Sequence, residues 1–526
     1  MDVTRDTQTL ADLLSQKDRE LCGLAPDDGR LSLRIAGLSY DSRRLQPGEI
    51  FFAYQGHVHD GHDHAPAAAA HAALIVAARP LALGTTPLLI HPDPKALMGR
   101  MADAFYGYPA QSMRLVAITG TNGKTTTAHL CASILAAHDG QAGLLGTLGA
   151  AIVRASSGGG PQSISYDVGE GLTTPEAPDL LAQLSRFRAQ GITAVAMEAS
   201  SIALCEGRLA QTPVDVAVLT NISRDHLDYH GTLEAYELAK TRLFVAHRKS
   251  TGVAVLPLGY ADKALWQVAG QRLTYSADLP TNHGPGAHVQ RLAPRGDEAI
   301  GHLRVATPKG VLEVQSSLYG RFNEENVLAA VAAALACDVP TAAIVEGLRD
   351  LAPVPGRLQH ISAAMEGATN PPPEPLVLVD FAHTPDALAR VIEALRPLAK
   401  GRLHLVIGCG GDRDPGKRPV MGQIAARADR VWITSDNPRS ESPEAIAQAM
   451  VVGLQGAPGA PTPYEVELDR ARAIAHAISQ ATVGDVVLIA GKGHEPYQLI
   501  AGKKWPFDDR TCAQKALCAW HQRGSS

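Results

Sequence analysis

Thr119-Gly120-Thr121-Asn122-Gly123-Lys124-Thr125-Thr126 is the first stretch of this sequence able to do chemistry. It follows an apolar run, Leu115–Ile118, and precedes a helical pattern carrying Leu130, Ile134 and Leu135. Glycines let backbone N–H groups curl around phosphate oxygens. A helix starting at the lysine turns its partial positive charge toward the same anion. In such loops the lysine reaches the β- and γ-phosphates and the next hydroxyl, here Thr125, ligates Mg2+. The longer phosphate loop needs glycine at 118, where this chain has Ile118, so the loop is the shorter G-x-x-G-K-T form. ATP as co-substrate and Mg2+ as cofactor are the expectation.

Two further apolar runs end in polar groups. Ile192–Met197 leads into Glu198. An acid at a strand tip beside a phosphate loop is where a Mg2+ ligand sits, and the same acid also suits a helix cap. Val214–Leu219 leads into Asn221-Ile222-Ser223-Arg224-Asp225-His226-Leu227-Asp228-Tyr229-His230-Gly231, which reads either as a site or as turn and cap chemistry. Lys240 follows His226 by fourteen residues on the next helix. It is either a solvated helix lysine or an amine that has reacted with CO2. A carbamate would convert the cation into an anionic oxygen ligand for a hard metal, and spacing does not decide between the two.

Positioning these groups takes several sheets. A chain of 526 residues corresponds to about three or four domains. The pattern predicts an α/β protein of three domains: 1–109, a smaller α/β N-terminal domain; 110–352, a central P-loop-type parallel-sheet ATPase domain; and 353–526, a C-terminal Rossmann-like doubly wound domain. In the first, strands are expected around Leu31–Leu38 and Ile50–Tyr54, a helix over Ala67–Ala73 and an apolar run over Ala73–Ala77. In the second, apolar β runs alternate with helical patterns, as in a parallel sheet with crossover helices. In the third, strands Leu376–Val379, Leu403–Ile407, Val431–Thr434 and Val486–Ala490 alternate with helices such as Pro385–Leu398 and Glu444–Leu454. Ligands of such a sheet sit outside the carboxyl ends of its strands.

Bulk charge narrows the partners. Lys and Arg total 48 against 53 Asp and Glu, a net charge of −5, which argues against nucleic acid as a partner. The seven cysteines include no C-x-x-C pair, which suggests free thiols in a reducing cytoplasm. The alanine-rich stretch at 65–83 is broken by His71, Arg79 and Pro80, so no membrane span is expected. A cytoplasmic monomer acting on small molecules is the expectation.

Taken together, these motifs resemble the Mur ligases, ATP-dependent amide-forming enzymes of peptidoglycan synthesis. The resemblance rests on Gly120–Thr126, Met197-Glu198-Ala199-Ser200-Ser201, the 221–231 run and Tyr319-Gly320-Arg321-Phe322-Asn323-Glu324-Glu325-Asn326. It continues through Val379–Pro385, Gly408–Asp414, Asp436-Asn437-Pro438-Arg439 and Gly491-Lys492-Gly493-His494-Glu495, and at the front through Tyr40-Asp41-Ser42-Arg43. It spans nearly the whole chain and is specific to the members that add the third residue of the stem peptide to UDP-N-acetylmuramoyl-L-alanyl-D-glutamate.

The resemblance implies roles. Tyr40, Ser42 and the His57-Val58-His59 loop would hold the uridine end of that substrate, which also removes the reading of His57, His59, His62 and His64 as a zinc site. Thr173, Thr174, Ser200, Glu206 and Arg208 would hold the muramoyl dipeptide. Gly120, Thr121, Asn122, Gly123, Lys124, Thr125, Thr126, Asn323, Asn326, Arg357 and Asp380 would bind ATP. Thr125 and Glu198 would bind one Mg2+, and His226 with carbamylated Lys240 a second; Lys124, Glu198, His226 and Lys240 would be catalytic. Arg413, Asp436, Asn437, Pro438, Arg439, Gly491 and Glu495 would hold the incoming amino acid. In the family the Asp-Asn-Pro-Arg tetrapeptide accompanies meso-diaminopimelate. That substrate differs from lysine by one carboxylate, which the forks of Arg413 and Arg439 suit. His383 or Asp380 would help deprotonate the attacking amine. The chain departs from the family at Ile202-Ala203, where His-Gly is usual, at Glu206, where glutamine is common, and at Leu256-Pro257-Leu258-Gly259.

Overall fold

The computed structural model describes residues 8–56, 59–156, 162–167, 172–279, 286–294, 301–316, 318–363, 373–459 and 461–524. Three larger sheets organise the chain. The first has four parallel strands in sequential order: β1 (Gly37–Ser39), β2 (Glu49–Ala53), β3 (Leu74–Ala77) and β4 (Leu88–Ile90). Helix α1 (Pro94–Phe105) packs its Leu97, Met98 and Met101 under this sheet. Two sequence expectations are corrected here. Leu31 lies in a 3-10 turn, Gly29–Ser32, because the Asp28 side chain accepts the Arg30 N–H and closes that turn. The helix expected over Ala67–Ala73 is one turn, Ala65–Ala68. Short alanine helices are marginal alone, and Ala73 N–H instead donates to Glu49 O and delivers the chain into β3.

The second sheet has eleven strands. Its parallel part contains β5 (Arg114–Thr119), β6 (Gln141–Gly146), β9 (Ala194–Glu198), β10 (Val214–Leu219), β11 (Arg248–Pro257), β12 (Arg272–Ser276) and β13 (Val289–Arg291), in the order β6-β9-β5-β10-β11-β12-β13. Both edges carry antiparallel strands that the parallel-sheet reading left out. These are β7 (Gly149–Arg154) and β8 (Ser163–Asp167) on one side, and β14 (His302–Thr307) and β15 (Gly310–Gln315) on the other. Two-residue turns join β6 to β7 and β14 to β15, too short for a parallel crossover.

Helix α2 (Lys124–Asp139) lies across this sheet with α6 (Arg321–Ala336) and α7 (Thr341–Arg349). Helices α3 (Ala177–Ala189), α4 (Ser201–Cys205) and α5 (Leu233–Val245) cover the other face, where Leu184, Leu204 and Leu243 pack with β5 and β9. Small residues let α2 and its neighbours approach closely. A Cβ on Gly347 of α7 would stand 2.6 Å from the Ile134 Cα of α2.

The third sheet runs β16-β17-β21-β18-β19-β20, from Gln359–Ile361 (β16), Leu376–Asp380 (β17), Leu403–Ile407 (β18), Arg430–Ile433 (β19), Tyr464–Val466 (β20) and Val486–Ala490 (β21). All but β16 are parallel. Helices α8 (Pro385–Leu395), α9 (Lys417–Ala425) and α10 (Pro443–Gln455) pack on one face, and α11 (Arg470–Ser479) and α12 (Asp509–Gly524) on the other. This is the expected doubly wound arrangement. A short hairpin, β22 (Tyr497–Ile500) and β23 (Lys503–Pro506), follows β21.

A fully buried ion pair ties α12 to the rim of this sheet. Arg470 Nε and Nη2 each donate to an Asp509 carboxylate oxygen at 2.7 Å, and Nη2 also donates to Ala490 O at 3.0 Å. Removing one partner of such a pair strands a charge in the core and costs about 3–5 kcal/mol. Asp509→Ala should therefore lower the unfolding free energy of the third sheet by that amount in urea titration. A loss below about 1 kcal/mol would contradict this reading of the pair.

Candidate active site

The carboxyl ends of β5, β9 and β10 open into one cavity of about 340 Å3 that also reaches the residues after β17. Thr121, Asn122, Gly123, Lys124, Thr125 and Thr126 line it with Glu198, Ser200, Asp225, His226 and Lys240. Thr173, Asn323 and Asn326 also line it, and Arg357, Asp380 and His383 line its far side.

The loop after β5 is shaped by what lies behind it. Gly120 and Gly123 have φ of 146° and 86°. A Cβ at Gly120 would stand 1.9 Å from Thr220 Oγ1, and one at Gly123 would stand 2.3 Å from Asn326 Oδ1. Asn326 is itself held, since its Nδ2 donates to Asn323 Oδ1 at 3.1 Å. Lys124 Nζ donates to Gly120 O at 2.9 Å and to Thr121 O at 2.8 Å. Lys240, 1% exposed, also donates to Gly120 O at 2.9 Å and stacks over the Tyr236 ring at 4.3 Å. Burial, then the Lys124 charge, pushes the Lys240 amine well below its ordinary pKa.

Glu198 is 2% exposed and points along the sheet edge, where Thr147 N–H donates to Oε1 at 2.8 Å and Thr147 Oγ1 to Oε2 at 3.2 Å. Gly146 makes room for it, because a Cβ there would stand 2.2 Å from Oε1. Burial works to raise the Asp225 pKa, but His226, His383 and Lys124 outweigh it and hold the carboxyl down. His226 has a left-handed φ of 51°, and burial lowers its pKa so that the neutral ring is favoured. These are hard oxygen and neutral imidazole donors of the kind that suit Mg2+ shared with phosphates and water. Among the described residues no group of three or more His, Cys, Asp or Glu side chains forms a cage for a metal by itself.

The segment after β16 and β17 closes the other wall. Arg357 stacks on Phe381, 4.6 Å from the ring centre, and its Nη2 donates to Thr125 Oγ1 at 3.2 Å. Asn122 Nδ2 donates to Asp386 Oδ2 at 3.1 Å, a second contact from the loop to the third sheet's helices. Asp380 accepts N–H groups from Leu358 and Ala382, both at 2.8 Å. His383 Nδ1 contacts Phe381 O at 2.8 Å, so Nδ1 carries the proton and Nε2 is the free acceptor. Burial, then Lys417, lowers its pKa and favours the neutral ring.

Thr174 and Arg208 lie just beyond the cavity. Thr174 Oγ1 donates to Glu198 O at 2.9 Å, Ser200 N–H donates back to Thr174 Oγ1 at 3.0 Å, and Arg208 pairs with Glu176 at 2.8 Å. Glu206 does not stand there as a free acid. Lys95 of α1 contacts it directly and Tyr229 OH donates to it at 2.7 Å. Tyr40 and Ser42 sit by β1, away from the main cavity; the Tyr40 hydroxyl donates to Asp179 and lines a smaller cavity of about 150 Å3. His59 is described near β2, whereas His57 and Val58 lie outside the described residues.

Arg413, Asp436, Asn437, Pro438, Arg439, Gly491 and Glu495 come from the loops after β18, β19 and β21. They gather at the same carboxyl rim as Asp380, and Gly491 N–H donates to Asp380 O at 3.1 Å. Arg413 is exposed, whereas Arg439 Nη1 donates to Gly411 O at 2.6 Å. The sequence reading missed Thr147, Asp225, Tyr236, Phe381 and Asp386 as site residues. Asp225 had a signal, the polar run after β10; Thr147 sits in a hairpin turn with none.

The close fit at Gly123 makes a prediction. Gly123→Ala adds a methyl at a left-handed position, where strain costs about 1–2 kcal/mol, and pushes it into Asn326. Nucleotide affinity, read by titration with a fluorescent ATP analogue, should fall at least about tenfold. Affinity within twofold of the parent would contradict the packing argument.

Comparison with known proteins agrees with this geometry. The chain matches the Mur ligase family catalytic domain over residues 34–106, the Mur ligase middle domain over 118–334 and the Mur ligase glutamate ligase domain over 342–493. It is 42% identical over 509 residues to a UDP-N-acetylmuramoyl-L-alanyl-D-glutamate–2,6-diaminopimelate ligase of Synechococcus elongatus, covering 94% of this chain and 96% of that protein. The ligase of the same name from Pseudomonas syringae pv. tomato is 42% identical over 494 residues, covering 92% and 96%. A solved structure of a ligase of that name superposes with a TM-score of 0.64 at 34% identity, over 98% of this chain and 99% of that one. The folylpolyglutamate synthase of Mycobacterium tuberculosis shares the fold at a TM-score of 0.56 and 19% identity, over 74% of this chain and 91% of that one. With a glycine–lysine loop at the head of α2, a doubly wound third sheet and relatives matched along nearly their whole length, this chain belongs to the Mur ligase family.

Proposed function

We propose that this protein is the ATP-dependent ligase that joins meso-diaminopimelate to the D-glutamyl γ-carboxylate of UDP-N-acetylmuramoyl-L-alanyl-D-glutamate in peptidoglycan synthesis. The observation that carries the substrate choice is the rim at Asp436–Arg439, where Asn437 bonds Glu495 and Arg439 bonds Gly411 O, so that acid and arginine side chains meet across three loops. Units 1–109, 110–352 and 353–526 would hold the uridine nucleotide, ATP and the amino acid, with one of the larger sheets each. Its substrates fit a cytoplasmic enzyme acting as a monomer.

The γ-carboxylate oxygen attacks the γ-phosphorus of ATP and ADP leaves, giving an acyl phosphate. Lys124 and the α2 N-terminus stabilise the charge that develops on the transferring group. Thr125 and Glu198 would hold one Mg2+, and His226 with a Lys240 carbamate a second; bound Mg2+ offsets phosphate charge. The neutral amine of diaminopimelate then attacks the acyl carbon, and collapse of the tetrahedral intermediate releases phosphate and the amide. His383 is better placed than Asp380 to take the amine proton. Its Nε2 has no hydrogen bond among the described residues, whereas both Asp380 oxygens are bonded to backbone. The wall from Arg357 to His383 excludes water from the acyl phosphate. Arg439 and Arg413 would read the second carboxylate, a bidentate partner that lysine does not offer.

Two measurements test this. Phosphate release should require both the UDP-muramoyl dipeptide and diaminopimelate, with kcat/KM for lysine at least about a hundredfold lower. Equal turnover with lysine would sink the specificity, and turnover without any amino acid would favour a nucleotide-driven switch. A carbamate forms only from a neutral amine, which the burial of Lys240 favours. Lys240→Ala should be inactive and partly regain turnover with short carboxylic acids; full activity of the variant would exclude the carbamate role.

A further inference from the structure

Lys492 has no place in the roles above, yet it is fully buried at the centre of the rim. An ammonium taken out of water needs partners for its three N–H groups. Here Nζ donates to Asn437 Oδ1 at 3.0 Å and to Glu495 Oε2 at 3.1 Å, and lies 3.5 Å from Asp436 Oδ1. Its donors are thus committed to the protein. Asn437 is fixed from every side. Its Oδ1 also accepts Leu499 N–H at 2.9 Å, and its Nδ2 donates to Glu495 Oε2 at 2.8 Å. All these contacts on Glu495 fall on Oε2, and among the described residues no hydrogen bond falls on Oε1.

Strand β22 braces the same loop. Gln498 Nε2 donates to Asp436 O at 3.0 Å, Arg439 N–H donates to Leu499 O at 2.9 Å, and Ala501 N–H donates to Arg439 O at 2.7 Å. The brace holds Arg439 at a left-handed φ of 53°. Gly491 leaves room for the other oxygen of Asp436, since a Cβ there would stand 2.7 Å from Oδ2. Two carboxylates and one ammonium leave a single negative charge beside Arg439. An amino-acid end group, one ammonium and one carboxylate, matches that alternation of charge.

We infer that Lys492 is the positioning residue of the amino-acid subsite: its ammonium locks Asn437 and Glu495 so that Glu495 Oε1 and Asp436 face the ammonium of the incoming diaminopimelate while Arg439 faces its carboxylate. Gln498 supports the same loop from outside. This rests on the ligase reading above, and the test separates the two. A wild-type protein that does not turn over diaminopimelate overturns the ligase reading, whatever Lys492 does.

With an active wild type, Lys492→Met is measured for kcat and for each KM, alongside its melting temperature. The expected result is a rise of about a hundredfold in KM for diaminopimelate, with KM for ATP and for the UDP-muramoyl dipeptide within about twofold. A folded variant with unchanged KM for diaminopimelate, or with all three KM values raised alike, overturns the positioning role. If Lys492→Met does not fold, Gln498→Ala decides. A KM rise of about five- to tenfold confined to diaminopimelate supports the inference, and no such rise overturns it.

Discussion

Two lysine side chains share one backbone oxygen at the centre of this protein. Lys124 and Lys240 both donate to Gly120 O at 2.9 Å; Lys240 is buried and Lys124 is half-buried against the cavity. Two ammonium groups so close in a region of low dielectric repel strongly. Burial lowers the pKa of both amines; the Lys124 charge adds to it at Lys240, and the Arg357 charge adds to it at Lys124. The glycine loop, the Asn323–Asn326 pair behind it and the Tyr236 ring beside it are arranged around this contact. A phosphate arriving at the loop, or conversion of the Lys240 amine to a carbamate, would relieve it. The cavity is therefore poised for negative charge although the whole molecule carries −5.

The same constraint explains how the wall built by the third sheet is held. Arg357 and Asn122 bridge the nucleotide loop to residues around β17 and α8. Arg357 adds a third, half-buried cation to the cavity wall, so its stacking on Phe381 and the nearby acids Asp380 and Glu198 matter. Groups that would touch the phosphate and groups that would guide the amine are brought within one cavity by very few direct contacts. Such sparse bridging is compatible with domain movement during a reaction cycle.

Local neutralisation also settles the departure at Glu206. An acid near an anionic dipeptide looks unfavourable from composition. In the fold, Lys95 from the first sheet's helix and the Tyr229 hydroxyl meet it, and burial, which would raise its pKa, is outweighed by those contacts. The acid becomes part of the contact between the first and second sheets.

How much of this was readable beforehand depended on whether the physics is local. The loop after β5 and the alternation of apolar runs in the third sheet are written in consecutive residues, so the strand–glycine loop–helix unit and the doubly wound sheet were legible. The antiparallel edges were not, because a hairpin and a crossover differ in the pairing partner. Thr147, Lys95 and Lys492 were invisible as contributors, since their roles depend on partners 51, 111 and 55 residues away. By itself the sequence determined which backbone can curl around a phosphate, because glycine conformations and helix starts are short-range properties. Only the tertiary structure decided which lysine is stripped of water and which acid is neutralised, because desolvation and charge pairing depend on groups that meet only when the chain is folded.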